Sequence, residues 1–208
     1  MRYVQWLVLA AATAALAACA QSAGPQSSSP SSRLTPEQMH RLLVKACKQS
    51  SSFQCLENPF TVKVRRENTS EFERYFAPPV PVIQHAAITV FAGLTLNIEA
   101  RPGANGRLTH LHLVGKAAHP ESTLVVTLEQ VTTGQGQNYM KLDVHNPFPE
   151  ALVYKVAINP LRVDGFRAVD ACPAGAGTTS YETWPEPLFK VRLTDLRLVA
   201  SKGKAPAC

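Results

Sequence analysis

Histidine supplies the clearest candidate for chemistry in this 208-residue chain. His110 and His112 form a His-x-His pair, and His119 follows closely. On a strand, residues two apart face the same side, so both imidazoles can reach one metal ion, with His119 as a third ligand. A tight site needs further donors, commonly carboxylate or thiolate, and Glu121 is the nearest. Thr109, Leu111 and Leu113 read as an inward face, which leaves the histidines on a solvated one. Asp143 and His145 also share a strand face, but no nucleophile accompanies them. The chain has no G-x-S-x-G, H-E-x-x-H, phosphate-binding loop or dinucleotide fingerprint. Its acidic residues are dispersed, so no carboxylate pair for sugar hydrolysis stands out. The sequence therefore assigns no catalytic residue and no cofactor.

A second candidate is the segment "TSYETWPEPLF", residues 179–189. Tyr181, Trp184 and Phe189 are aromatics on a proline-stiffened stretch, which suits interface anchors because little entropy is lost on binding. The competing expectation places Trp184 as a plug at one end of a β-sandwich, with the prolines guarding an edge strand.

Elements must hold these residues. Thr35, Pro36 and Gln38 mark a helix start with a Thr-x-x-Gln capping box. Met39, Leu42, Leu43 and Ala46 then recur at helical spacing and are expected to pack on the core. A second short helix is expected over Glu71–Phe76, from the Ser70/Glu73 capping spacing and the stop at Pro78, Pro79 and Pro81. From Ile83 onward the pattern becomes strands: "AITVFAG", "LTLNIEA", "LTHLHLVG", "STLVVTLEQV", "NYMKLDVH", "ALVYKVAI" and "LFKVRLTDLRLVA". Turn residues separate them, with Asn105-Gly106 a hairpin signal. Residues 169–187 read as a long loop. Seven or eight short strands without intervening helices predict an antiparallel β-sandwich, with an up-and-down barrel as the alternative.

Residues 1–18 combine one early charge, a short apolar core and a small-residue boundary, the parts of a secretory signal peptide. The core falls short of the ~20 apolar residues of a comfortable spanning helix. Leu16-Ala17-Ala18-Cys19 resembles the lipobox of bacterial lipoproteins. That resemblance implies cleavage before Cys19 and acylation of its sulfur, giving a palmitate-type anchor in membrane lipid. Ala20, rather than Asp, after the cysteine implies the outer membrane with the body facing the periplasm. Inner-membrane and surface-exposed anchoring stay open. Residues 19–34 are rich in Ser, Pro, Gly and Gln and read as a disordered tether with a reach of about 20 Å.

Five cysteines less the anchor leave Cys47, Cys55, Cys172 and Cys208. An even number in an oxidising compartment predicts two disulfides. Three pairings are possible, and Cys47–Cys55 with Cys172–Cys208 is favoured because each pair lies within one apparent region. No short paired spacing supports a Cys metal site. The net charge of +6 is spread along the chain, which argues against nucleic acid and suits an anionic lipid surface.

Within "MKLDVHNPFPEALVYKVAI", Asn146, Pro147, Leu152 and Tyr154 resemble the strand–Asn-Pro–strand segment of water-stress (late-embryogenesis-type) domains. The resemblance implies an immunoglobulin-like version of the sandwich. The expected organisation is a signal peptide at 1–18, a tether at 19–34, a helical, disulfide-containing segment at 35–81 and a mainly β domain at 82–208. The expected role is a lipid-anchored, non-enzymatic binding or assembly module with an envelope protein as partner. The alternative is an envelope metal-binding protein or hydrolase using His110 and His112.

Overall fold

The structure, a computed structural model, describes residues 34–66 and 70–200. Cys19, Cys208 and the expected signal peptide lie outside the described residues, as does nearly all of the expected tether. Thr35 opens the compact unit that holds the described elements.

Thr35 caps α1 (Pro36–Gln49) as its spacing predicts. The Gln38 amide donates to the Thr35 hydroxyl at 3.2 Å, and the Thr35 amide donates to Gln38 Oε1 at 2.9 Å. Fourteen residues are too few to hold a helix by propensity alone, and α1 buries none of them. The cap contributes about 1 kcal/mol. The Cys47–Cys55 disulfide, with Cα atoms 5.8 Å apart, straps the last turn to the sheet. Closing so short a loop contributes roughly 2.5 kcal/mol. Here the expectation of core packing is corrected, because Met39 and Leu42 are 47% and 50% exposed.

The segment after α1 is not helical. It forms β1 (Phe53–Leu56), β2 (Phe60–Arg65), β3 (Glu71–Phe76) and β4 (Val80–Gln84). The expected helix over Glu71–Phe76 is therefore corrected to a strand paired antiparallel with β2. Phe72 and Phe76 satisfy a helical repeat and a strand repeat equally well. The cross-strand partners Val64 and Phe60 decide between them. Glu71, Glu73 and Tyr75 take the exposed face, where Lys63 and Glu73 pair at 3.1 Å.

The remaining strands are β5 (Ala87–Phe91), β6 (Leu94–Pro102), β7 (Leu108–Val114), β8 (Thr123–Thr132), β9 (Asn138–His145), β10 (Ala151–Pro160), β11 (Arg167–Val169), β12 (Thr179–Trp184) and β13 (Leu188–Val199). Seven of these coincide with the seven sequence-predicted strands. By contrast, β12 lies inside the predicted loop 169–187, where it lines up against β9 from Thr179↔His145 to Trp184↔Met140.

The protein is mainly β. One sheet has six strands in the order β1-β4-β5-β13-β10-β11, and another has five in the order β12-β9-β8-β6-β7. Since β1 and β4 belong to the first, the sheet starts before the expected boundary at residue 82. Alternating apolar residues from both sheets share one core. Leu96, Ile98, Leu124, Val126, Leu128, Met140 and Leu142 come from the five-stranded sheet. Ile88, Val90, Val156, Ile158, Val191 and Leu193 come from the six-stranded one. This arrangement is consistent with the sandwich. The β2–β3 hairpin also packs on the core through Val62 and Val64. It is pinned to β8 by the Gln130 side chain, which makes two 2.8 Å hydrogen bonds with the Arg65 backbone.

Two strands break their alternation at a residue with positive φ. In β7 it is His110, at φ 50°; in β13 it is Asp195, at φ 53°. The ladder register shifts beside each one. These bulges let residues three apart face inward together: Leu108 with Leu111, and Leu193 with Leu196.

Asn105 and Gly106, at φ 60° and 70°, turn β6 into β7 as the hairpin signal predicts. A Cβ on Gly106 would meet the Leu198 carbonyl oxygen at 2.4 Å. Gly106→Ala is therefore expected to destabilise by about 3 kcal/mol, combining backbone strain with overpacking. Urea unfolding would measure it, and a loss below about 0.5 kcal/mol would show that this approach is not tight.

Tyr154 is buried in β10, and its hydroxyl lies 2.7 Å from Ser180 Oγ. Burial pushes its pKa up to about 12. Between about pH 10 and 12 the unfolded chain releases this proton and the folded chain keeps it, so stability falls as pH rises through that window. The loss approaches roughly 2.5 kcal/mol above it. Tyr154→Phe removes that component, so its stability–pH curve should run flatter than the parent's there.

Candidate functional site

The bulge in β7 decides where the histidines go. Leu108 and Leu111 face the core, and His110 and His112 are exposed beside an open cleft. Thr109, expected inward, instead donates its hydroxyl to the Arg101 carbonyl at 3.2 Å. Glu99, His110, His112, His119 and Glu121 line one cleft of about 530 Å³, which also receives Arg101. His119 Nδ1 lies 3.6 Å from Glu121 Oε1. The structure thus brings the three sequence-selected histidines to one cleft. Among the described residues, however, no three His, Cys, Asp or Glu side chains converge closely enough to hold a metal ion. Asp143 and His145 are engaged separately. The Asp143 carboxylate accepts from Lys141 at 2.7 Å, which holds the Lys141 ammonium above its ordinary pKa. His145 Nδ1 faces Thr179 Oγ1 at 3.1 Å.

Tyr181, Trp184 and Phe189 do not form one surface. Tyr181 and Trp184 lie on opposite faces of β12, because they are three residues apart on a strand. Tyr181 is 66% exposed. Trp184 is half-buried and packs on the core from the end of the strand. Phe189 is buried in the six-stranded sheet among Phe72, Phe76 and Phe91, with centroids 5.6–5.8 Å away. Cys172 is disulfide-bonded, and its amide donates to Glu182 Oε1 at 2.5 Å. Its expected partner Cys208 lies outside the described residues.

Two surfaces were not legible in the sequence. The first surrounds α1. Met39 and Leu42 are exposed at its N-terminal half, with Arg41, Lys45 and Lys48 also exposed on the helix. An open cleft of about 650 Å³ runs from Val44 and Cys47 to Phe53 and Pro79, beside the disulfide.

The second lies on the outer face of the six-stranded sheet, reached by Lys190 and Arg192 because Val191 and Leu193 take the core face. The Lys190 ammonium sits 5.6, 5.2 and 5.6 Å from the ring centroids of Phe91, Phe166 and Phe189. The Arg192 guanidinium stacks 4.0 Å over Phe166. From β3, the Arg74 guanidinium lies 5.2 Å over Phe76 and 5.4 Å over Phe189. Burial, and then the charges of Arg192 and Arg74, hold the Lys190 pKa below its ordinary value. No local pattern announces this cluster, because the fold draws its cations from β3 and β13.

No family model matches the chain, and comparison with curated proteins and with solved structures gives no match.

Proposed function

We propose that the protein is a lipid-anchored, non-enzymatic binding module of the bacterial envelope, held through acylated Cys19 with its β domain in the periplasm. The observation that carries this reading is α1. The helix follows directly on the expected tether, leaves Met39 and Leu42 in solvent, and keeps Arg41, Lys45 and Lys48 beside them. An apolar stripe with flanking cations is the pattern of a helix lying in a membrane interface. The acyl chains on Cys19 supply the anchor, and an interfacial helix of this kind adds a second contact with the bilayer. The Cys47–Cys55 bond keeps the helix fixed to the β domain and suits an oxidising compartment. No helix among the described residues is long and apolar enough to cross a membrane.

Mass spectrometry of the protein from native membranes tests the anchor. Acylated Cys19 as the first residue is expected, and an intact leader or unmodified Cys19 sulfur overturns it. A photo-crosslinker at Met39 tests the helix, with lipid adducts expected; protein adducts alone would assign α1 to an envelope protein partner instead. The metal-binding alternative predicts stoichiometric metal in the purified protein that is lost in the His110→Ala/His112→Ala variant. The Met39→Ser/Leu42→Ser variant should change stability by no more than about 0.5 kcal/mol, as expected of surface residues. A loss of about 2 kcal/mol or more would mean the stripe is packed on the core after all.

A further inference from the structure

The cations on the outer face of the six-stranded sheet lack a feature that such a cluster ordinarily has. Lys190 is half-buried among three phenylalanine rings, Arg192 covers one of those rings, and Arg74 covers another. Nearby, Arg167 pairs with Glu186, Lys155 with Asp195 and Lys63 with Glu73. Arg74, Lys190 and Arg192 have no ion pair among the described residues. Their positive charges therefore repel one another over apolar rings, where water screens them less than in bulk. Cation–π contacts offset part of that repulsion but neutralise none of it. An anion seated between the three would offset much more.

We propose that Arg74, Lys190 and Arg192 form a binding site for a phosphomonoester, the ligand's dianion meeting the three cations that cap the rings of Phe76, Phe166 and Phe189. The choice of chemistry follows from the donors. Each guanidinium presents a planar fork that matches two oxygens of a phosphate, and the ammonium adds a point charge for the third. A carboxylate has two oxygens and one charge, so a single arginine satisfies it and two cations stay uncompensated. Both Lys190 and Arg192 project from β13, a central strand of its sheet, so the backbone beneath them is fixed. Arg74 comes from the β2–β3 hairpin, where it stands opposite the fully buried Val62. The rings shed water around the bound oxygens and strengthen each contact. This site stands apart from Cys19 and α1, and it holds whether or not the chain is acylated.

The test uses the full chain at pH 8 and constant ionic strength, with inorganic phosphate as the first probe. Titration calorimetry and thermal unfolding should both report binding. Lys190→Met/Arg192→Gln should weaken it at least tenfold, and Arg74→Gln several-fold. Lys63→Gln, on the opposite face of the hairpin, should leave it unchanged. Methionine matches the Lys190 stem as far as Cε and keeps an apolar chain in the ring cage, so that variant should fold; Arg192→Gln alone supplies a second reading if it does not. A second arm compares vesicles carrying phosphatidic acid with vesicles of equal charge carrying phosphatidylglycerol. Preference for phosphatidic acid, lost in the double variant, assigns the phosphomonoester to a lipid headgroup. Phosphate binding without that preference assigns it to a soluble ligand. Absence of phosphate binding up to about 10 mM, or equal binding by parent and double variant, overturns the proposal.

Discussion

Asn146→Asp is expected to be among the most destabilising single-atom-scale changes in the molecule, at about 4 kcal/mol or more. Asn146 is fully buried at the bend between β9 and β10. Its amide nitrogen donates to the carbonyls of Glu150 at 2.8 Å, Gly175 at 2.9 Å and Ala174 at 3.2 Å. Its oxygen accepts from the Phe148 amide at 3.1 Å. The side chain thus ties the proline-rich bend to the segment leading into β12. Aspartate would turn an acceptor toward three carbonyl oxygens at a position closed to bulk solvent. Asn146→Ala leaves the same groups unpaired but adds no repulsion, so it should cost less, about 3 kcal/mol. Urea unfolding of both variants checks the order. Equal, small losses would mean that the bend relaxes and finds other partners.

Phe189→Ala is the second large effect, expected at about 3–5 kcal/mol. The ring is only 8% exposed and touches phenylalanines from β3 and β5, so its loss opens a cavity where the hairpin meets the six-stranded sheet. Tyr181→Ala should change stability by less than about 0.5 kcal/mol, since Tyr181 stands out into solvent. A pair of similarly small losses would show that Phe189 is not the keystone of the ring cluster. The contrast separates two aromatics that the sequence groups in one segment.

Seven of the nine strands between Ala87 and Val199 are readable because their cores alternate and Gly, Pro and Asn mark the turns. Leu96, Ile98 and Ala100 in β6 show this plainly, as do Leu124, Val126 and Leu128 in β8. β3 is misread because Phe72 and Phe76 fit either period, and only the pairing with β2 resolves them. β12 is hidden because an edge strand of Thr, Ser, Tyr, Glu, Thr and Trp carries little apolar signal. The histidine cleft is half readable. Spacing selects His110, His112 and His119, but the bulge that aims them is set by the need to bury both Leu108 and Leu111. The cation cluster is unreadable locally, since Arg74 and Lys190 become neighbours only through the folded sheet.

The bulge at His110 has one more effect. β7 is one of the two outer strands of the five-stranded sheet, and an outer strand offers its unpaired amides and carbonyls to any chain that can lie flat against it. A kink in mid-strand, carrying charge-capable side chains, spoils that template. An interrupted rim of this kind guards against strand-by-strand polymerisation between copies of the chain.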